Sequence, residues 1–246
     1  YAVGKWTVTY LKTLEEKNAP EDQLEEICKK YWNNSGVRRY YIDRYFEKKE
    51  YDRVLQVLDE SIELDKAYRG QVLEYNQKKK EIYRLQGNKS AYIEQLWKLV
   101  LEQSAGDLDI YKELKAQYSE KEWLIKREEL FKKLSANAHI DRLYKEEKLY
   151  DRLLAYVLKS SGLYAVQSYE NVLKKEYPKQ ILSKYQGEVN KMASCTGNRK
   201  HYADLVALLR RMKRIKGGSE IVETIVEEWK IKYRNRPAMM DELSKL

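Results

Sequence analysis

The chain has 246 residues, 35% of them charged and 43% apolar, with 3 Pro, 10 Gly and a formal net charge of +9. This balance suits a helical protein with many solvated faces, and the regular recurrence of Leu, Ile, Val and Tyr excludes a disordered chain. No apolar run of about 18 residues could span a membrane and no basic-then-apolar signal segment is present, so a cytoplasmic location and no membrane partner are expected.

In chain order, Trp6, Tyr10 and Leu14 form one helical stripe that ends near Asn18. Pro20 suits the first turn of the next helix, whose buried face is Leu24, Ile27, Cys28 and Tyr31; Asn33-Asn34-Ser35-Gly36 is a turn cluster. The first clear hairpin pairs a helix carrying Val37, Tyr40, Tyr41, Tyr45 and Phe46 with one carrying Tyr51, Leu55, Leu58 and Ile62, across a turn near Lys49. A second runs from about Tyr68 to Leu85, stops at Gly87, and resumes through Tyr92, Leu96, Leu99 and Val100. In the third, Leu108, Tyr111 and Leu114 precede Ser119-Glu120-Lys121-Glu122, which reads as a capping box. The fifth uses Leu163, Val166, Tyr169 and Val172, then Pro178 in a first turn with Ile181 and Tyr185 behind it. After a loop at Ser194 to Asn198, Tyr202 to Leu209 pairs with Ile221, Ile225, Trp229 and Tyr233. Gly217-Gly218 separates the two as a helix stop, with Ser219 capping the second. Pro237 opens a short last helix whose Met239, Met240 and Leu243 cover the end of the stack.

The fourth hairpin contains the best evidence for repetition. Tyr150-Asp-Arg-Leu-Leu-Ala-Tyr-Val-Leu158 restates Tyr51-Asp-Arg-Val-Leu-Gln-Val-Leu58, and Asp141-Arg142-Leu143-Tyr144 matches Asp43-Arg44-Tyr45-Phe46 if the second copy has one extra residue. Looser copies of an aromatic followed by an apolar stripe start at Tyr92, Trp123, Tyr177 and Tyr202, a spacing typical of helix-turn-helix repeats. The expected fold is all-α: a right-handed α-solenoid of helical hairpins similar to tetratricopeptide repeats, without their strict consensus. One domain over residues 1–246 is expected, with hairpins from about 37 to 235 and a capping helix at 237–246. The start at Tyr1 without Met suggests a piece of a longer protein.

Little here points to catalysis. His139 and His201 stand apart from any Cys, Asp or Glu at ligand spacing, and Cys28 and Cys195 form no motif, so they read as reduced structural thiols. No catalytic residue, cofactor or metal ligand is expected, and the chain reads as no enzyme. The 22 Tyr and 5 Trp against 2 Phe suit thin cores with much edge, where a ring packs and its hydroxyl reaches the boundary.

Charge is unevenly spread. Between Gly197 and Arg236, eleven Lys and Arg face five Asp and Glu. Arg210, Arg211, Lys213, Arg214 and Lys216 form one group, and Lys230, Lys232, Arg234 and Arg236 another. They could meet a phosphate backbone or an acidic partner; alternatively, they complement helix C-terminal dipoles. An antiparallel pair would put the groups at opposite ends. Lys78-Lys79-Lys80 reads as a solvated helix face.

The segment Tyr202-Ala-Asp-Leu-Val-Ala-Leu-Leu-Arg-Arg-Met-Lys-Arg-Ile215, with Gly217-Gly218, Trp229 and Tyr233-Arg-Asn-Arg-Pro-Ala-Met-Met-Asp-Glu-Leu243, resembles the C-terminus of bacterial SWIM-type zinc-finger proteins. The resemblance covers about the last forty-five residues. The family's zinc module needs Cys-x-Cys followed by Cys-x-His, and this chain has neither. The resemblance therefore implies the zinc-free helical region of such a protein, with a parent linked to DNA or protein binding. The leading expectation is a scaffold that holds a protein segment, with Tyr40, Lys80, Tyr83 and Arg84 as its binding face. The rival is nucleic-acid binding through the C-terminal basic groups. The sequence carries no sign of oligomeric state.

Overall fold

The computed structural model describes residues 2–135 and 138–246, and every regular element among them is helical. The chain divides into two compact units, residues 1–142 and 143–246. The first contains α1 (Ala2–Glu16), α2 (Glu21–Lys30), α3 (Ser35–Glu47), α4 (Tyr51–Leu64), α5 (Arg69–Leu85), α6 (Lys89–Lys98), a π-helical turn (Leu99–Gln103), α7 (Leu108–Lys115) and α8 (Glu120–Lys133). The division falls within α9 (Ile140–Glu146). The second unit continues with α10 (Tyr150–Lys159), α11 (Tyr164–Leu173), α12 (Pro178–Ser194), α13 (Arg199–Lys213), α14 (Gly218–Lys232) and α15 (Pro237–Leu243). No described helix is long and apolar enough to cross a membrane.

Four hairpin turns share one geometry. The residues after α1, α3, α5 and α9 that take positive φ are Asn18 (54°), Lys49 (60°), Gly87 (69°) and Lys148 (56°). At each turn, the left-handed residue's N–H donates to the carbonyl three residues back, and the following N–H to the carbonyl five residues back. Thus Lys49 bonds Phe46 and Glu50 bonds Tyr45; Lys148 bonds Lys145 and Leu149 bonds Tyr144. These bonds satisfy carbonyls left open at a helix end and reverse the chain. Lys49 and Lys148 also fix the register of the repeat. Tyr45 corresponds to Tyr144 and Tyr51 to Tyr150 with no insertion, so the Asp-Arg match with its extra residue is displaced by one position.

The six aromatic starts all fall at the cap or in the first turn of a helix: α4, α6, α8, α10, α12 and α13. Five mark the second helix of a hairpin and Tyr202 the first, so the sequence period changes phase before α13. Ser119 and Glu122 form the expected capping box, and Pro178 and Pro237 open α12 and α15. One boundary differs from expectation. Gly217, left-handed at φ 80°, precedes α14, which begins at Gly218, so Ser219 lies inside the helix and does not cap it.

Within each unit, most helices pack on their chain neighbours, and also one further on at α1–α3, α10–α12, α12–α14 and α13–α15. The first core gathers Leu11, Leu24, Cys28, Val37, Tyr45, Val54, Leu58 and Ile82. The second gathers Leu153, Val157, Val166, Ile181, Tyr185, Leu205, Leu209, Val222, Ile225 and Trp229. On α4 the buried face is Val54, Val57, Leu58 and Ser61, with Tyr51, Leu55 and Ile62 at its margin. Ser61 is buried because Arg38, fully enclosed, spans the first core. Its guanidinium donates to Ser61 Oγ (3.1 Å), the Trp32 carbonyl (2.6 Å) and Asp65 Oδ2 (2.5 Å), and Tyr75 donates to the same carboxylate oxygen (2.7 Å). With its donors shared among three acceptors, the charge avoids the penalty of an unpaired buried ion.

Candidate binding surfaces

The four residues expected to form a protein-binding face do not share one environment. Tyr40 on α3 is buried, and its hydroxyl donates to Glu15 of α1 (2.9 Å). Lys80 on α5 faces the other way, donating to Glu113 of α7 (2.5 Å), an acceptor that Tyr92 of α6 also reaches. Burial pushes the Glu113 carboxyl up, but the bonds from Lys80 and Tyr92 outweigh it and hold the group below its ordinary value. Arg84 adds a favourable charge there from an exposed position, and half-buried Tyr83 lies under the Lys79 ammonium.

A more open surface lies between α1 and α2. Trp6 and Tyr10, one turn apart, are 74% and 53% exposed. They line a groove of about 510 Å³ with Thr7, Gln23, Ile27 and Tyr31, and Glu26 and Lys30 also border it. Both aromatics belong to the helical stripe that runs on to Leu14, and their exposure marks α1 as a helix with a face left over after packing on α2 and α3. A second cavity, about 390 Å³, lies beside Trp32, Tyr41 and Arg53. Its rings are already occupied: Arg53 stacks 3.8 Å from the Tyr45 centroid and 5.1 Å from that of Tyr41, and it also binds Glu25.

The nine C-terminal basic residues separate by role. Arg211 donates to buried Glu170 (2.5 Å) and to the Gln167 carbonyl (3.0 Å), both on α11. Arg236 donates to the carbonyls of Ala193 (2.8 Å) and Cys195 (3.3 Å), closing the end of α12, and Arg210 donates to the Lys245 carbonyl (2.5 Å). These three therefore serve the fold. Lys232 lies over the Tyr233 ring (5.4 Å). The side chains of Lys213, Arg214, Lys216, Lys230 and Arg234 make no hydrogen bond or ion pair among the described residues. The bonds of Arg211 to α11 and of Arg236 to the C-terminal end of α12 place the two basic groups at opposite ends of the α13–α14 pair.

The division between units sharpens the charge pattern. Residues 143–246 contain twenty-one Lys and Arg against thirteen Asp and Glu, a net +8. Residues 1–142 contain twenty-seven against twenty-six, a net +1. The sequence window from Gly197 to Arg236 captured only part of this excess.

The histidines have structural surroundings. The backbone of His139 approaches Gly106, where a Cβ would lie 2.9 Å from the His139 nitrogen. His201 Nε2 lies 3.1 Å from the Met192 carbonyl, and its backbone N–H donates to Asn198, the cap of α13. Among the described residues, no three His, Cys, Asp or Glu side chains gather as a cation site. Cys28 is buried, its thiol pushed up to about 11 by burial and the nearby Glu25 charge. No family model, characterised protein or solved structure matches the chain.

Proposed function

We propose that the chain is a non-catalytic helical-repeat scaffold, its hairpins wound as a right-handed solenoid of tetratricopeptide type, that holds a protein segment. The groove between α1 and α2 carries this reading. Exposed Trp6 and Tyr10 sit one turn apart beside Ile27 and Tyr31, a combination of large apolar anchors and a bordering rim that suits a partner segment with apolar side chains at helical spacing. The Glu26 and Lys30 rim favours a segment bearing both charge signs. The test is affinity capture with mass spectrometry, comparing the parent chain, Trp6→Ala/Tyr10→Ala and Lys213→Glu/Arg214→Glu. Proteins held by the parent and the basic-surface variant but lost from the groove variant are the expected result. A captured set unchanged by the groove substitutions would sink the reading.

A second reading, a nucleic-acid-binding region of a SWIM-type parent, is supported by the +8 charge of residues 143–246.

A further inference from the structure

We propose that one end of the second unit is a docking surface for the phosphodiester backbone of duplex DNA, formed by Lys175, Lys179, Lys213, Arg214 and Lys216. The inference rests on the second reading above and adds to Lys213, Arg214 and Lys216 two residues that the sequence did not group with them, Lys175 and Lys179. Lys175 follows α11, Lys179 lies in the first turn of α12, Lys213 ends α13, and Arg214 and Lys216 lead into α14. Contacts distant in sequence bring these turns to one end. Arg211 reaches Glu170 and Gln167, aligning the C-terminal half of α13 with that of α11. Leu182, one turn beyond Lys179, lies 3.3 Å from where a Cβ on Gly218 would stand, so the start of α12 meets the start of α14.

The five side chains are free for a partner. Lys213 is half-exposed and the other four are exposed, and none makes a hydrogen bond or ion pair among the described residues. The strongest nearby acid is already matched: Glu170 is buried and held by Arg211 at 2.5 Å and Lys174 at 3.4 Å. Glu176 and Asp151, which share the Tyr177 hydroxyl, and Glu220 in the first turn of α14 are the acids at the rim. Neighbouring helices stand about 8–10 Å apart, so the cations form a row, and a row matches a polymer with one charge per about 1.7 Å of axis better than a single anion.

The surface also favours one kind of nucleic acid. The large apolar side chains exposed in this unit are Leu158, Tyr164 and Ile231. Tyr164 begins α11, at the opposite end from the cations, and the ring beside them, half-buried Tyr177, is tied down by its hydroxyl on Asp151 (2.5 Å), so no free ring stands there to stack on unpaired bases. Lys and Arg donate to a phosphate oxygen and to a ribose 2′-hydroxyl alike, so these cations bind charge and do not select RNA. The occupant assigned is therefore duplex DNA on the spacing of its phosphates, read without sequence preference, and duplex RNA is the competing outcome of the test.

The test is fluorescence anisotropy of the full chain with a mixed-sequence DNA duplex across a salt titration, with single-stranded DNA and duplex RNA in parallel. Lys175, Lys179, Lys213, Arg214 and Lys216 are changed together to Gln, and a control changes Lys230, Lys232 and Arg234 to Gln at the other end; circular dichroism checks that both remain folded. We expect the five-site variant to lose on the order of tenfold or more in affinity and its salt slope to fall by about four, at roughly 0.9 per phosphate contact. The control should stay within about threefold of the parent, since its charges lie outside the surface. No binding by the parent at low salt would remove the nucleic-acid reading itself. Parent binding that survives the five-site change, that the control lowers equally, or that is tighter for single strands or RNA would overturn this surface while leaving the reading standing.

Discussion

Tyr40, Tyr45, Tyr75, Tyr92, Tyr177 and Tyr185 each set a ring at a helix boundary and donate a hydroxyl hydrogen bond to a carboxylate: Glu15, Glu21, Asp65, Glu113, Asp151 and Glu170. Phenylalanine could fill the space but would take one donor from each of these acids, which gives a physical reason for 22 Tyr against 2 Phe. The pairs also predict a pH profile. Lys48 and then Tyr45 hold Glu21 below its ordinary value of 4.5, and at Glu170 the bonds from Tyr185 and Arg211 outweigh the upward push of burial. Stability from these lowered carboxyls is present above about pH 4.5 and is lost as pH falls. Burial, then the Asp65 and Glu113 bonds, push Tyr75 and Tyr92 up to about 12 from 10.0, so their contribution is complete below pH 10 and lost as pH rises through 12. The buried Cys28 thiol, raised from 9.0 to about 11, starts the alkaline loss earlier, so urea midpoints should be flat between about pH 4.5 and 9 and fall on either side, and Glu170→Gln should flatten the acid limb. A second residue-scale prediction concerns Lys49 and Lys148, non-glycine residues in left-handed turns. Lys49→Gly and Lys148→Gly should each raise stability by about 1 kcal/mol, read from urea unfolding, because the left-handed conformation penalises a Cβ more than glycine's added chain entropy costs.

Helix ends were legible wherever one residue type settles the local backbone: Pro178, Pro237, Gly87 and the Ser119–Glu122 box act within a single turn. The ends that escaped depend on contacts from elsewhere. The π-helical turn closes with the Ser104 N–H on the Leu99 carbonyl (2.8 Å), and its Leu99 and Val100 are buried; the apolar spacing from Tyr92 through Leu96 to Val100 alone reads as ordinary helix. Gly217-Gly218 reads as a stop followed by a serine cap, yet the two glycines have different tasks. Gly217 supplies the left-handed turn, whereas Gly218 admits close approach, since a Cβ there would lie 1.9 Å from the Met212 carbonyl oxygen. Gly218→Ala should therefore cost about 1–3 kcal/mol through forced backbone displacement, opposite in sign to the usual gain from replacing a helical glycine. Thermal unfolding of Gly218→Ala beside Gly187→Ala, where a Cβ meets open space, checks this; equal effects would refute it.

For the whole molecule, the decisive feature is the separation of charge, with net +8 in residues 143–246 and +1 in residues 1–142. If polyanion binding follows that separation, Lys66→Glu/Arg69→Glu in the first unit should leave the affinity for duplex DNA and its salt slope within error of the parent chain. The same number of reversals at Lys213 and Arg214 should reduce both, as measured by anisotropy across salt. The sequence by itself determined the helical character, most helix boundaries and the recurrence of the Tyr51 stretch at Tyr150, because periodicity, caps and breakers act over a few residues. It also contained the basic excess. Only the tertiary structure decided which cations are already used, since the acceptors for Arg211 and Arg236 lie about forty residues earlier in the chain and no local pattern announces them. It likewise separated exposed Trp6 and Tyr10 from buried Tyr40, because a helical stripe shows that a face is apolar but not whether another helix covers it.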